Sequence, residues 1–374
     1  MTVATRALVK HHESHGKLLT AVDVADCPPG SVDAIVVPTN RPASYLDTAI
    51  GVAADLGRPL VVLTSGSTQP ERLAKSARAG GVELLVVDVT ALPRTALPRL
   101  ATTEVLRGTE FERGTDTSLK RNLGLLVARV AGWRRVAFLD DDIKVPVPGD
   151  LDAAAGLLSA GYAAVGLAVG GFPDNSVVCH AHRATGGAQD TFIGGGALVI
   201  GRESMSSFFP TIYNEDWFFL LDDEGLRRSA ITGQVVQKPY DPFANEIRAQ
   251  VEEFGDCLAE GVFALLDDDG GFDAATDEDY WWDFRLGRLD LIDGILGRIK
   301  VRDRESMRME IALRAARKRC DAIPPSLCVR YLEALAQDRR TWAAHVATRP
   351  VGATDLRGAL PTLGLAAHGT YVAR

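Results

Sequence analysis

The chain has 374 residues, 46% of them hydrophobic, enough to bury a full core as one large domain with an appendage or as two domains. Its 41 basic and 49 acidic residues are interspersed and leave a formal net charge of −8, which gives no footprint for a nucleic-acid backbone; nucleic acid is excluded as a partner, and any anionic ligand must be met locally. Five cysteines, Cys27, Cys179, Cys257, Cys320 and Cys328, are widely spaced without a Cys-x-x-Cys pair, which excludes a disulfide framework and a zinc knuckle and fits a reducing compartment.

Residues 1–30 are polar, hold His11, His12 and His15, and end in Pro28, Pro29 and Gly30, so they read as an N-terminal extension. They lack the apolar core of a signal peptide, and nowhere do about eighteen apolar residues run together as a membrane span requires. The expectation is a cytoplasmic chain with no transmembrane segment. From Ala34 the runs Ala34 to Val37, Leu60 to Leu63, Leu84 to Val87, Val136 to Leu139 and Ala163 to Val169 read as buried strands separated by helix-length segments. That alternation predicts an α/β domain over 31–245 with a mostly parallel sheet flanked by helices, in which ligands bind at the carboxyl ends of the strands. Beyond it, Ile247, Val251, Phe254, Leu258, Val262 and Leu265 recur at helical spacing, and Arg304 to Arg319 and Ser326 to Val346 are amphipathic. Residues 246–374 are therefore expected to form a mainly helical C-terminal region, which offers a surface for homo-oligomer formation.

The strand Val136 to Leu139 delivers Asp140, Asp141 and Asp142 to the sheet edge. Oxygen ligands of this kind suit Mg²⁺ or Mn²⁺, ions that take one or two protein carboxylates together with substrate phosphates, so a nucleotide diphosphate is the natural partner. A second triplet, Asp267 to Asp269, follows a helix and runs into glycines and further acids, and reads as a solvated loop. A phosphatase of the Asp-x-Asp-x-Thr type is disfavoured because Lys144 stands where the hydroxyl residue would be. Upstream, Leu119, Leu123, Leu126, Val127 and Val130 share a helical face, with Asp116, Thr117 and Ser118 available as N-cap. Lys120 and Arg121 then fall in the first turn, where cations are disfavoured unless an anion docks; the alternative is two solvated side chains.

These residues resemble the GT-A glycosyltransferases, particularly the family 2 type. The Pro-Thr-x-Asn-Arg-like loop of that type is matched by Pro38, Thr39, Asn40 and Arg41, its basic-Arg-Asn helix start by Lys120, Arg121 and Asn122, and its Asp-x-Asp by Asp140 and Asp142. FIGGGALVIGRES, Phe192 to Ser204, is similar to the glycine-bearing segment beside the acceptor, and NEDWFF, Asn214 to Phe219, to the Glu-Asp-Trp segment. The resemblance covers roughly Val32 to Tyr240. It implies a Rossmann-like GT-A fold and transfer of a sugar from a nucleotide-diphosphate sugar to an acceptor hydroxyl. Family members commonly carry a base-reading Asp after the second strand; here only Thr64, Ser65 and Ser67 are available, with Asp88 after the third strand as substitute, so UDP, GDP and dTDP sugars all stay open.

In the inverting mechanism that the resemblance implies, Asp216 is the general base, with Glu215 as fallback; a partly apolar setting beside Trp217 and Phe218 would raise its pKa usefully. Asp142, with Asp140, would hold Mn²⁺ or Mg²⁺, and Asp140 and Asp141 would face the nucleotide sugar with Pro38, Thr39, Asn40, Arg41, Lys120 and Arg121. Gly194, Gly195, Gly196 and Trp217 would lie against the acceptor. His180 and His182 would share a face of an extended segment and, with Asp190, line the acceptor pocket or add a metal ligand, or else read as surface residues; His368 lies near a flexible-looking C-terminus. Three rivals stay open: a retaining glycosyltransferase, a catalytically silent nucleotide-sugar-binding scaffold, and a nucleotidyltransferase, the last disfavoured because PTNRPAS is not a glycine-rich phosphate loop.

Overall fold

All five apolar runs form strands in the structure, a computed structural model that describes every residue except 1–10, 67, 94, 301–302 and 353. The strands are β1 (Thr20–Ala21), β2 (Ala34–Thr39), β3 (Leu60–Thr64), β4 (Leu84–Asp88), β5 (Arg135–Leu139), β6 (Ile143–Lys144), β7 (Ala164–Gly171), β8 (Ala197–Gly201), β9 (Ser229–Gln237) and β10 (Gly369–Val372). They make one sheet in the order β1-β9-β7-β8-β5-β2-β3-β4-β10, with β6 paired to β9. Strands β2 to β5 run parallel, as do β1, β7 and β9, whereas β8 is antiparallel to both β5 and β7. The helices are α1 (Asp47–Leu56), α2 (Pro70–Ala79), α3 (Ala101–Leu106), α4 (Thr117–Val130), α5 (Gly149–Leu158), α6 (Val177–Ala184), α7 (Glu215–Phe219), α8 (Glu246–Asp267), α9 (Glu278–Arg298), α10 (Arg304–Asp321), α11 (Pro325–Ala347) and α12 (Leu356–Thr362).

Successive strand residues point to opposite faces, and both faces are covered. Val36, Leu63 and Phe138 pack with Leu123 and Leu126 of α4 and the C-terminal helices. Ile35, Val37 and Val62 pack with α1, α2 and α5. The expected α/β body with flanking helices is thus present, and α8 to α11 supply the expected helical region. On α8 the apolar face holds from Phe254 onward, while Ile247 and Val251 are exposed.

Three expectations are corrected. The C-terminus is not loose: β10 closes the sheet against β4, with Val372 buried. The histidine-bearing segment packs on the body from His11 onward. His15 is buried, hydrogen-bonded to Asp267 and to Glu260 at 3.2 Å, with its ring against Phe192, Trp217 and Phe263. Asp267, expected in a solvated loop, is therefore the buried last residue of α8, its charge met by His15 and Lys17; only Asp268 and Asp269 are solvated. Burial pulls the His15 pKa down, but hydrogen bonds and charge from Glu260 and Asp267 outweigh it and leave the group raised. Among the described residues no helix is long and apolar enough to cross a membrane, and the five cysteines are unpaired.

Candidate active site

The reversed strand β8 decides where polar residues collect. Because β8 runs against its neighbours, its N-terminal approach, Gly194 to Gly196, lies beside the carboxyl ends of β2, β5 and β7. The Asp140 N–H donates to the Gly196 carbonyl at 3.0 Å, fixing that junction.

On the β2 side, the Thr39 hydroxyl donates to Asp141 at 2.5 Å and accepts from the Arg41 N–H at 3.0 Å. Arg41 bridges Asp141 and Asp142 at 2.8 and 2.9 Å. Lys120 is buried, and its ammonium donates to the Thr39 carbonyl, the Ser65 hydroxyl and Asp116 at 2.8, 2.7 and 2.7 Å. Those three bonds use its three protons, so Lys120 scaffolds this wall and contributes charge rather than a free donor. Asp116 accordingly precedes α4 without a side-chain cap bond, its carboxylate turned to Lys120. Pro38 to Arg41, Lys120 and Asp140 to Asp142 together enclose a cavity of about 150 Å³.

Arg121 is the hub next to it. Neither cation is solvated, as the alternative reading held: Arg121 is 3% exposed and donates to Glu215 at 2.7 Å and to Asp140 at 2.9 Å. Arg113, which sequence reading missed, holds the other oxygen of Glu215 at 3.1 Å. Glu215 is thus fully committed to arginines, which weakens it as a fallback base. The glycines explain how so much charge fits: a Cβ on Gly195 would lie 2.4 Å from the Arg121 guanidinium, and one on Gly196 or Gly194 would press on Asp140 or Asp216. Their small size admits the site's own side chains.

Asp216, second residue of α7, accepts from the Gly195 and Trp217 N–H groups at 2.5 and 2.9 Å, with no cation in direct contact among the described residues. Burial, reinforced by the charge of Glu215, pushes its carboxyl up to about 6 despite Arg121 nearby. A second cavity, of about 210 Å³, is lined by Asp216, Trp217, Gly194, Gly196, Arg121 and Asp174 among others. Asp174 also escaped the sequence reading. Its side chain is partly open to solvent, yet desolvation by the surrounding atoms, then the charges of Asp140 and Asp216, push its carboxyl up to about 7. Its position three residues past β7 is the signal that could have found it, since ligands gather at carboxyl strand ends. Asp140 and Thr117 line both cavities.

No family model matches the sequence, and no curated protein matches it. Solved structures that resemble the chain include glycosyltransferases. Mannosyl-3-phosphoglycerate synthase from Rubrobacter xylanophilus shares 15% identity over 61% of this chain and 77% of that one, at a TM-score of 0.39. S. aureus TarS 1-349, also solved in complex with UDP-GlcNAc, shares 13% identity over 77% and 90% of the two chains, at 0.37 and 0.35 without and with that ligand. A mycobacterial protein shares 18% identity over 59% and 72%, at 0.39. Identities and scores this low assign no activity or substrate to this chain.

Other candidates fall elsewhere. His180 and His182 lie on α6, not on an extended segment, so two residues apart they point to different sides. His180 stacks on Phe172 and bonds Tyr240 at 2.9 Å, and burial with nearby Arg248 pulls its pKa down to about 4; His182 bonds Arg298 at 2.9 Å. Asp190 lines a different groove, under residues 14–21. Asp88 folds back on Thr90, His368 sits on the turn into β10, and Ser67 lies outside the described residues.

Proposed function

We propose that the chain is a glycosyltransferase that moves a sugar from a nucleotide-diphosphate sugar to an acceptor hydroxyl by an inverting displacement, with Asp216 as general base. The observation that carries this reading is the wall shared by the two cavities. One is bounded by the Pro38 to Arg41 loop, Lys120 and the acidic triplet; the other holds Asp216, whose carboxyl titrates close to neutrality; Asp140 stands between them. A donor in the first and an acceptor in the second would meet at Asp140. Asp216 takes the acceptor proton as the acceptor oxygen bonds to the anomeric carbon and the bond to the diphosphate oxygen breaks. Trp217, packed edge-on against Phe192 and tilted against Phe263, provides the apolar wall that keeps Asp216 basic enough to do so. Arg121 holds Asp140 and Glu215 in place, and Lys120 sets the loop that would meet the nucleotide.

The donor chemistry at the triplet fits a divalent ion. Asp140 and Asp142 offer hard carboxylate oxygens two positions apart in the chain, and burial, reinforced by the charge of Asp142, raises the Asp140 pKa against the opposing pull of Arg121. Among the described residues no cluster of three or more His, Cys, Asp or Glu side chains is arranged for a metal, so phosphate oxygens of a substrate would have to complete the shell. Asp140 and Asp142 would hold Mn²⁺ or Mg²⁺, which when bound supplies charge neutralisation for the departing diphosphate. Arg41 would release Asp142 in that state.

Calorimetry with a panel of nucleoside diphosphates, with and without Mn²⁺, on the wild type and Asp142→Ala tests the reading. We expect one nucleotide to bind in a metal-dependent way, at least tenfold more weakly in the variant. If no nucleotide binds under any condition, the reading fails and a scaffold protein takes its place.

A further inference from the structure

We propose that the cavity at the opposite end of the sheet is a second ligand site, built for a phosphate-bearing anion. It lies where β5 begins and β8 ends, so the strand reversal that gathers the candidate active site at one edge gathers a different set of side chains at the other. Arg134 and Arg135 at the start of β5 and Arg202 after β8 line a cavity of about 230 Å³ together with Ser159 and Tyr162. Glu203 is the one carboxylate among its lining residues, so three guanidiniums face a single acid.

What singles out this cluster is how its cations are held. Many arginines of this acidic chain are matched to carboxylates, as Arg288 is to Glu253 and Asp256, or Arg317 to Asp293, while Arg227 and Arg285 bond backbone carbonyls. Here the partners are neutral. Arg135 donates to the Ser159 hydroxyl at 2.6 Å, and Arg202 to the Gly132 carbonyl at 2.6 Å. Arg228, stacked 4.1 Å over the Tyr162 ring, donates to the Ala160 carbonyl at 3.1 Å. No ion pair is made by Arg134, Arg135, Arg202 or Arg228 among the described residues. Asp33 is near, but it accepts from the backbone N–H groups of Arg134 and Arg135 at 2.6 and 2.9 Å and so fixes the turn that presents their side chains.

The Arg135 and Arg202 guanidiniums are thus positioned in advance, retain unused N–H donors, and make no ion pair among the described residues. A tetrahedral phosphate dianion suits that arrangement, because the fork of an arginine matches two of its oxygens and charge-assisted bonds of this kind are the strong ones. The Ser159 hydroxyl accepts from Arg135 and keeps its own proton to donate to a phosphate oxygen. The cavity is larger than a bare phosphate needs, and the Tyr162 ring gives it an apolar wall, so a small phosphate ester fits it as well as the free ion.

The test is calorimetric titration at low ionic strength with inorganic phosphate and, separately, glucose 6-phosphate, on the wild type, Arg135→Glu, Arg202→Gln and Arg41→Gln. Arg135 is the primary position because its side chain anchors only to Ser159, so charge reversal there leaves the backbone contacts intact. We expect wild type and Arg41→Gln to bind alike, and Arg135→Glu and Arg202→Gln to bind at least tenfold more weakly, Arg135→Glu with unchanged melting temperature. Arg135→Lys should recover part of the loss. Tighter binding of glucose 6-phosphate than of phosphate identifies an ester as the ligand, and equal binding identifies the free ion. The proposal is overturned if neither probe binds the wild type, if Arg135→Glu binds as wild type does, or if only Arg41→Gln loses binding.

Discussion

Asp216 stands between opposing influences, and their balance sets a pH dependence that can be measured. Burial and Glu215 raise its pKa, Arg121 and two backbone N–H groups lower it, and the carboxyl settles at about 6. A general base works when ionised, so its contribution is present above that value and is lost as pH falls through it. We predict that kcat/KM falls about tenfold per pH unit below pH 6, and that Asp216→Asn lowers kcat by about 10²–10⁴-fold while donor affinity is kept. A variant with undiminished turnover would remove Asp216 from the mechanism. Asp174 shares the cavity, and its carboxyl is raised in part by the charge of Asp216. Because Asp174 gains its proton at a higher pH than Asp216, it is mostly neutral where Asp216 ionises, so Asp174→Asn should leave the acid limb near pH 6 in place. Arg121 makes a different kind of prediction. It is the buried partner of Glu215 and Asp140, and Arg121→Ala strands Asp140 and leaves Glu215 with Arg113 alone, which should cost about 3–5 kcal/mol in chemical denaturation. Arg121→Lys should rescue little, because a single ammonium cannot span two carboxylates as a fork does.

Elements were legible in the sequence to the extent that periodicity carries them. The buried strands and the helix that holds Lys120 and Arg121 follow from apolar spacing, and the loop after β2 and the triplet after β5 follow from what comes next. His180 and His182 were misplaced because VVCHAHRA is short and apolar at both ends, a pattern shared by a buried strand and a single helical segment. The glycine run was legible as a close approach, but not what approaches. Gly195 exists to admit Arg121, a pairing that joins α4 to the start of β8 across the site and has no local trace. Gly195→Ala puts a methyl group 2.4 Å from a guanidinium already fixed by two carboxylates. We expect it to destabilise the protein by about 1–3 kcal/mol, as overpacking does, and to lower turnover at least tenfold. Gly114→Ala, where nothing lies within 4 Å, is the matched control and should change neither. Equal behaviour of the two variants in melts and turnover would refute the role given to Gly195.

At the scale of the whole molecule, long-range closure was hidden from the sequence. Residues 369–372 and 84–88 are about three quarters of the chain apart in sequence, and only the fold pairs β10 with β4 across the registers Thr370 to Val86 and Val372 to Leu84. The same is true of His15, whose buried contacts reach Glu260 and Asp267 on α8. Strand β10 covers the free edge of a sheet whose next strand, β4, is apolar along Leu84 to Val87, and an uncovered edge of that kind invites pairing with other chains. Deleting residues 369–374 removes the ladder, the buried Val372 and the 2.9 Å bond from Tyr371 to Glu83. The proposed donor cavity rests on β2, β5 and α4, two strands in from that edge, so its architecture does not depend on β10. We therefore predict a truncated chain that melts several degrees lower and aggregates in proportion to its concentration, yet binds nucleotide with unchanged affinity when kept cold and dilute. Loss of nucleotide binding in the monomeric truncated protein would mean that closure of the sheet edge and the shape of the donor cavity are coupled, contrary to the separation argued from the strand order.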